Sequence, residues 1–170
     1  GTNGTYLEIG GDEINPARAS DFDFNNKDWC IEGFYYFQAM GDGNILFSVG
    51  GNTIQTGMYL KVLNHEQNSK TLAFTLGDNN QNNVVLSITS ESNSLELDKW
   101  YHIAIVKHNS NYNLYINGKL KASDSYNGDI NLPVEGGFKI GSDQNGLFGM
   151  IGFVDDFRIT LDSARYFDRF

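Results

Sequence analysis

The feature that most constrains this chain is the pair Asn117-Gly118 inside "YNLYINGKLKAS". Two residues of this type supply the positive φ angles of a type I′ turn, whose twist matches the strands it joins. The sequence therefore predicts a hairpin, with Leu114 and Ile116 on one arm and Leu120 and Ala122 able to meet them on the other. A second turn at "HNSN" (108–111) ties this hairpin to the run 100–107, which makes a meander. Similar short runs rich in β-branched and aromatic residues recur at 6–9, 29–37, 44–49, 58–63, 71–76, 84–89, 113–116, 119–123, 138–140 and 148–160. Asn, Gly, Asp and Ser clusters separate them, as in the polar hairpin loop "GDNNQNN" (77–83). Nineteen glycines against two prolines fit many tight turns. No long segment has the 3.6-residue period of a helix. The prediction is an all-β antiparallel sandwich with little helix.

Side-chain alternation assigns faces. In 29–37, Trp29, Ile31 and Tyr35 point one way, and Cys30, Glu32, Phe34 and Tyr36 the other. In 100–107, Trp100, His102, Ala104 and Val106 oppose Tyr101, Ile103, Ile105 and Lys107. Both faces of that run are largely apolar, so it is expected to be central and covered on both sides. His102 is then expected as a hydrogen-bonded core histidine. His65 and His108 fall in predicted turns, without a nucleophile or partner at telling spacing.

The formal net charge of −9 and the pI of about 4.6 argue against binding nucleic acid, because that affinity rests on Lys and Arg neutralising phosphates. They disfavour anionic membrane surfaces for the same reason. No apolar run approaches the ~20 residues that span a bilayer. With a single cysteine, Cys30, there is no intrachain disulfide and no structural zinc spacing. The length suits one domain over 1–170. The start at Gly1, without a visible signal peptide, reads as a piece of a longer protein. Asn3-Gly4-Thr5 is a lone glycosylation triplet in an Asn-rich chain.

Three stretches together resemble one family. "DWCIEGFYYF" (28–37) is similar to an early strand of laminin-G-like jelly rolls. "KWYHIAIVKHNSNYNLYINGKL" (99–120) resembles the family's meander, and "GFKIGSDQNGLFGMIGFVDDFRIT" (137–160) its closing strand. In this order they mark the concanavalin A-like lectin/glucanase sandwich. The tail "DDFRITLDSARYFDRF" resembles laminin-G-like domains fused to bacteriophage tail and virion proteins, though Asp162 stands near a usual glycine. "SARYF" is expected as a turn or helical cap over the sheet edge.

The resemblance implies a non-catalytic carbohydrate-binding or adhesion module, on a virion or outside the cell. Its partners would be a cell-surface glycan or polysaccharide, and other chains of a homo-oligomeric virion protein. A structural or assembly role is the alternative, and a polysaccharide-active hydrolase or lyase is the remaining one. Hydrolases on this fold need two carboxyls flanking the scissile bond, carried by an E-x-D-x-E strand that this chain lacks. Glu96 and Asp98 stand in a turn-like lead into a strand. "YYFQAMG" (35–41) only echoes a lyase motif. Adjacent Asp155 and Asp156 point to opposite faces of a strand unless a bulge intervenes.

The resemblance also implies one structural calcium. Asp155 would be a ligand, met by the Gly11 carbonyl and Asp12; the alternative is a metal-free corner anchor. Glu32 and Arg158 are expected to pair across neighbouring strands of the concave sheet, or to help bind a polar ligand. Phe34 and Tyr36 either line that sheet as rings for sugar faces or sit beneath covering loops. Tyr112 and Tyr126 are further loop aromatics. Cys30 is left open between core and surface.

Overall fold

A computed structural model describes residues 7–9, 23–64, 70–133 and 137–166. The strands are β1 (Leu7–Ile9), β2 (Trp29–Ala39), β3 (Ile45–Gly50), β4 (Gly57–Leu63), β5 (Thr71–Asp78), β6 (Asn83–Thr89), β7 (Trp100–His108), β8 (Asn111–Ile116), β9 (Lys119–Ser125), β10 (Phe138–Ile140) and β11 (Ile151–Leu161). Each predicted run becomes one strand, and no helix occurs among the described residues. The last strand starts later than predicted, because Phe148 takes a left-handed backbone (φ 54°) that a strand cannot continue.

The strands form two antiparallel sheets, one ordered β1-β10-β3-β4-β5-β6 and the other β11-β2-β7-β8-β9. The inward faces meet in one core that includes Trp29, Ile31, Tyr35 and Phe37 from one sheet and Phe47, Leu60, Phe74 and Phe138 from the other. Phe24 packs edge-on to Trp29 at 5.8 Å and 87°, an arrangement that aligns ring edge with ring face. Each fully buried aromatic contributes roughly 1.5–3 kcal/mol by leaving water. The two sheets alone therefore account for the all-β fold.

The Asn117-Gly118 turn forms with φ of 49° and 73°, as a type I′ turn requires. A bulge between Leu114 and Tyr115 corrects the predicted pairing. Leu114 faces Ala122, but Leu120 falls opposite Tyr115 and stands exposed. Tyr112, expected in a loop, lies in β8 and is fully buried against Trp29 and Phe74. His108 closes β7 rather than sitting in a turn, with its Nδ1 2.8 Å from Asp28 Oδ2. His65 lies outside the described residues.

Candidate functional site

The outer face of the five-stranded sheet carries the residues that alternation turns away from the core. Registers stack them in cross-strand rows. Phe153, Tyr36 and Trp100 form one row, Asp155, Phe34 and His102 the next, and Arg158, Glu32 and Ala104 the third. Neighbours within a row are about 4.8 Å apart along the hydrogen-bonding direction. Four predicted ligand residues, Glu32, Phe34, Tyr36 and Arg158, thus share one surface.

One end of this face is covered. Ala164 and Tyr166 pack on Cys30, Ala104, Val106 and Tyr115 as a small second core. The "SARYF" segment therefore covers sheet face rather than sheet edge, as far as its described residues 163–166 show. Burial, followed by the Glu32 carboxylate, pushes the Cys30 thiol up to about 12. That thiol stays protonated and inert at neutral pH.

The other end is open. Phe153, Trp100 and Phe34 are exposed, at 54%, 47% and 40% of their surface. Tyr36 lies between two of them, its ring centroid 5.5 Å from Trp100 and 5.9 Å from Phe153. Its hydroxyl donates to Asp98 Oδ1 at 3.3 Å. Partial desolvation and then that carboxylate raise the Tyr36 phenol above its ordinary value. Asp98 is held in place by a left-handed backbone (φ 58°) and by its own N–H donating to Phe37 O. Glu96 stays solvated, 2.6 Å from Lys99, as expected of the turn. The expectation that β7 is covered on both faces holds at Ala104 and Val106 and fails at Trp100.

Glu32 anchors the boundary between the two ends. Its side chain is 5% exposed. Oε2 accepts from His102 Nε2 at 3.1 Å, while Arg158 Nη1 and Arg165 Nε stand 3.6 and 3.7 Å from Oε1. His102 is therefore hydrogen-bonded as predicted, but on the outer face rather than in the main core. The Glu32–Arg158 pair forms across β2 and β11, and Arg165 adds a second guanidinium that alternation could not reveal. A carboxylate enclosed by three cationic or donor groups suits anchoring better than proton transfer.

A bulge lies between Asp155 and Arg158, where Asp156 takes φ of 47°. The alternation that would send Asp155 and Asp156 to opposite faces is therefore broken, and both are exposed. Asp155 Oδ1 accepts from the Asp156 N–H at 2.9 Å, which makes Asp155 a cap on the bulge. Gly11 and Asp12, the expected calcium partners, lie outside the described residues. Among the described residues no three acidic, His or Cys side chains gather in a metal-holding group, so these alone do not make a calcium cage. Tyr126, expected as a loop aromatic, does follow β9; it is half-buried, and its hydroxyl accepts from Gln81 Nε2.

Trp100, Phe153 and Asp98 were not anticipated as site residues. Phe153 shares parity with Asp155, and Trp100 with His102, so both were within reach of a face count. Their meeting at Tyr36 depends on register, which the sequence does not state.

The laminin-G-like family model of the concanavalin A-like lectin/glucanases superfamily matches residues 10–164. No curated protein matches the chain in sequence. Among solved structures, a candidate carbohydrate-binding protein of Bacteroides ovatus is similar at 15% identity and TM-score 0.67, over 94% of this chain. The match spans 42% of that protein, so this chain corresponds to less than half of it. The CBM40 module of the Ruminococcus gnavus IT-sialidase is similar at 15% identity and TM-score 0.66, over 95% of this chain and 91% of the module. The enzymatically active domain of tailspike protein 2 from bacteriophage CBA120 matches at 15% identity and TM-score 0.62, over 81% of this chain and 22% of its own. At such identities the likeness is one of fold.

Proposed function

The chain belongs to the concanavalin A-like lectin/glucanases superfamily, and on that premise we propose that it is a non-catalytic carbohydrate-binding module. The observation that carries this reading is the row Phe153–Tyr36–Trp100, three adjacent rings of which the outer two are exposed and Tyr36 is half-buried between them, on an otherwise well-packed sandwich. Soluble domains rarely leave such a patch without a use. The C–H face of a pyranose stacks on an aromatic ring, and its hydroxyls need donors and acceptors at the edge. Asp98, Asp155 and the half-exposed Arg158 supply both kinds beside the rings. Glu32 positions Arg158 and His102 rather than touching sugar.

The polar groups border the rings instead of enclosing a scissile bond, which supports binding without chemistry. Adhesion to a cell-surface glycan, from a virion or an extracellular protein, is the setting this surface suits, and the fold is shared with a bacteriophage tailspike domain. An assembly surface is the competing reading, because Ile151 beside the row is also exposed. A glycan array of the isolated chain, with sedimentation of the same sample, tests the assignment. Glycan binding by a monomer supports the module. A tight oligomer that binds no glycan supports assembly instead.

A further inference from the structure

The six-stranded sheet also carries a formed groove on its outer face, remote from the aromatic row. It measures about 390 Å³, within the range of small-ligand sites. Its floor is Ile45, Tyr59 and Lys61 from β3 and β4, and its walls are the loops 51–56 and 142–148.

Both walls are built to hold their shape. In the second, Ser48 Oγ donates to Ser142 O, Gln144 Nε2 donates to Ser48 Oγ, and Lys139 Nζ donates to Gln144 O, all between 2.7 and 2.9 Å. In the first, Tyr59 donates its hydroxyl to Gly51 O at 2.6 Å, and the Thr56 N–H donates to Thr53 O. Gly77 of β5 lets that loop lie directly on the sheet. A Cβ there would stand 2.4 Å from the Gln55 carbonyl carbon.

Two features of this groove point outward to a ligand as well as inward to the loop. Phe148 holds a left-handed backbone that a bulky residue adopts only at a cost, yet its side chain is 59% exposed. Ile45 N–H donates to its carbonyl at 2.8 Å, which fixes the residue at the rim. Asp143 is only 8% exposed, and the Asn145 and Leu147 N–H groups both go to its Oδ1. Its Oδ2 has no protein donor among the described residues. Asp143 and Tyr59 both line the groove, and burial, followed by this carboxylate, pushes the Tyr59 phenol up.

We propose that this groove is a second carbohydrate site, for one or two rings of a neutral saccharide. An exposed aromatic at the rim offers a stacking face. Asn52 and Gln55 offer amides that both donate and accept, and Asp143 offers a free acceptor to hydroxyl groups. One ammonium, Lys61, and one carboxylate balance, which disfavours a ligand of either charge. Two sites on opposite sheets make the chain able to bridge two glycan strands, with the avidity that linkage brings.

The test is amide chemical-shift mapping of the chain titrated with maltose, cellobiose, lactose and xylobiose. At least one sugar shifts the amides of 52–55 and 146–149. Phe148→Asn keeps the left-handed backbone and weakens that response at least about tenfold, whereas Trp100→Ala changes it by less than about twofold. Gln55→Ala, at an exposed position, weakens it without touching the fold. No shift at these amides with any of the four sugars overturns the proposal, as does a response that survives Phe148→Asn. Loss of the response in Trp100→Ala assigns the sugar to the other face and equally overturns it. Failure of the aromatic row alone leaves these amides responding, so the two readings fail separately.

Discussion

Removing the Glu32 carboxylate distinguishes an anchor from a ligand contact. Among the described residues its side chain takes one hydrogen bond, from His102, and a hydrogen bond to a charged group contributes about 1.5–3 kcal/mol. Oε1 makes no hydrogen bond among the described residues and faces two guanidiniums beyond 3.5 Å. Arg158 and Arg165 are 51% and 36% exposed, so solvent screens each pair to about 0–1 kcal/mol. Glu32→Ala forfeits all of these and a little packing, for a loss of roughly 2–5 kcal/mol. Glu32→Gln keeps an acceptor for His102 in the same shape and loses mainly the charge, about 1 kcal/mol. Urea unfolding at pH 7, with unchanged denaturant slope, reads both values. High salt should shrink the Gln penalty, because the arginines are the screened partners. Glycan affinity should change little in the Gln variant, since an anchor acts through position. If Gln costs as much as Ala, or if it abolishes binding while leaving stability intact, the anchoring argument is wrong.

Other consequences are quickly checked. Cys30 should resist a thiol reagent at pH 8 in the native protein and react on unfolding. Because its folded pKa is raised to about 12, its contribution to stability is full below the unfolded thiol range near pH 8.5 and lost as pH rises toward 12. Gly152→Ala would place a Cβ 1.8 Å from the Tyr36 carbonyl oxygen, so it should destabilise by about 3 kcal/mol or more and weaken glycan binding with it. Thermal melts in millimolar calcium and in chelator test the expected ion. A site completed by the 8–13 segment raises the melting point with calcium, and Asp155→Asn removes the rise; coincident melts in the wild type end that reading.

Much of this was legible because period-two alternation is local. Trp29, Ile31 and Tyr35 went to the core, and Glu32, Phe34 and Tyr36 to the outer face, as a face count requires. The Asn117-Gly118 turn followed from backbone chemistry alone. What stayed hidden depends on one extra residue or on a distant segment. The bulge at Asp156 breaks the alternation expected to separate two carboxylates, and the one beside Leu114 turns Leu120 outward. Burial of Tyr112 depends on which sheet faces β8. Cover of Cys30 and Tyr115 comes from Ala164 and Tyr166, a distant segment whose seat on the sheet no local pattern states.

The most direct test of the account is calorimetric titration of the wild type and Trp100→Ala with a glycan identified on an array. Trp100 is half-exposed, so its loss should leave the melting point nearly unchanged while affinity falls at least about tenfold. Binding that is indifferent to Trp100→Ala and Phe153→Ala alike, or no glycan bound at all, would contradict a carbohydrate site on the aromatic row.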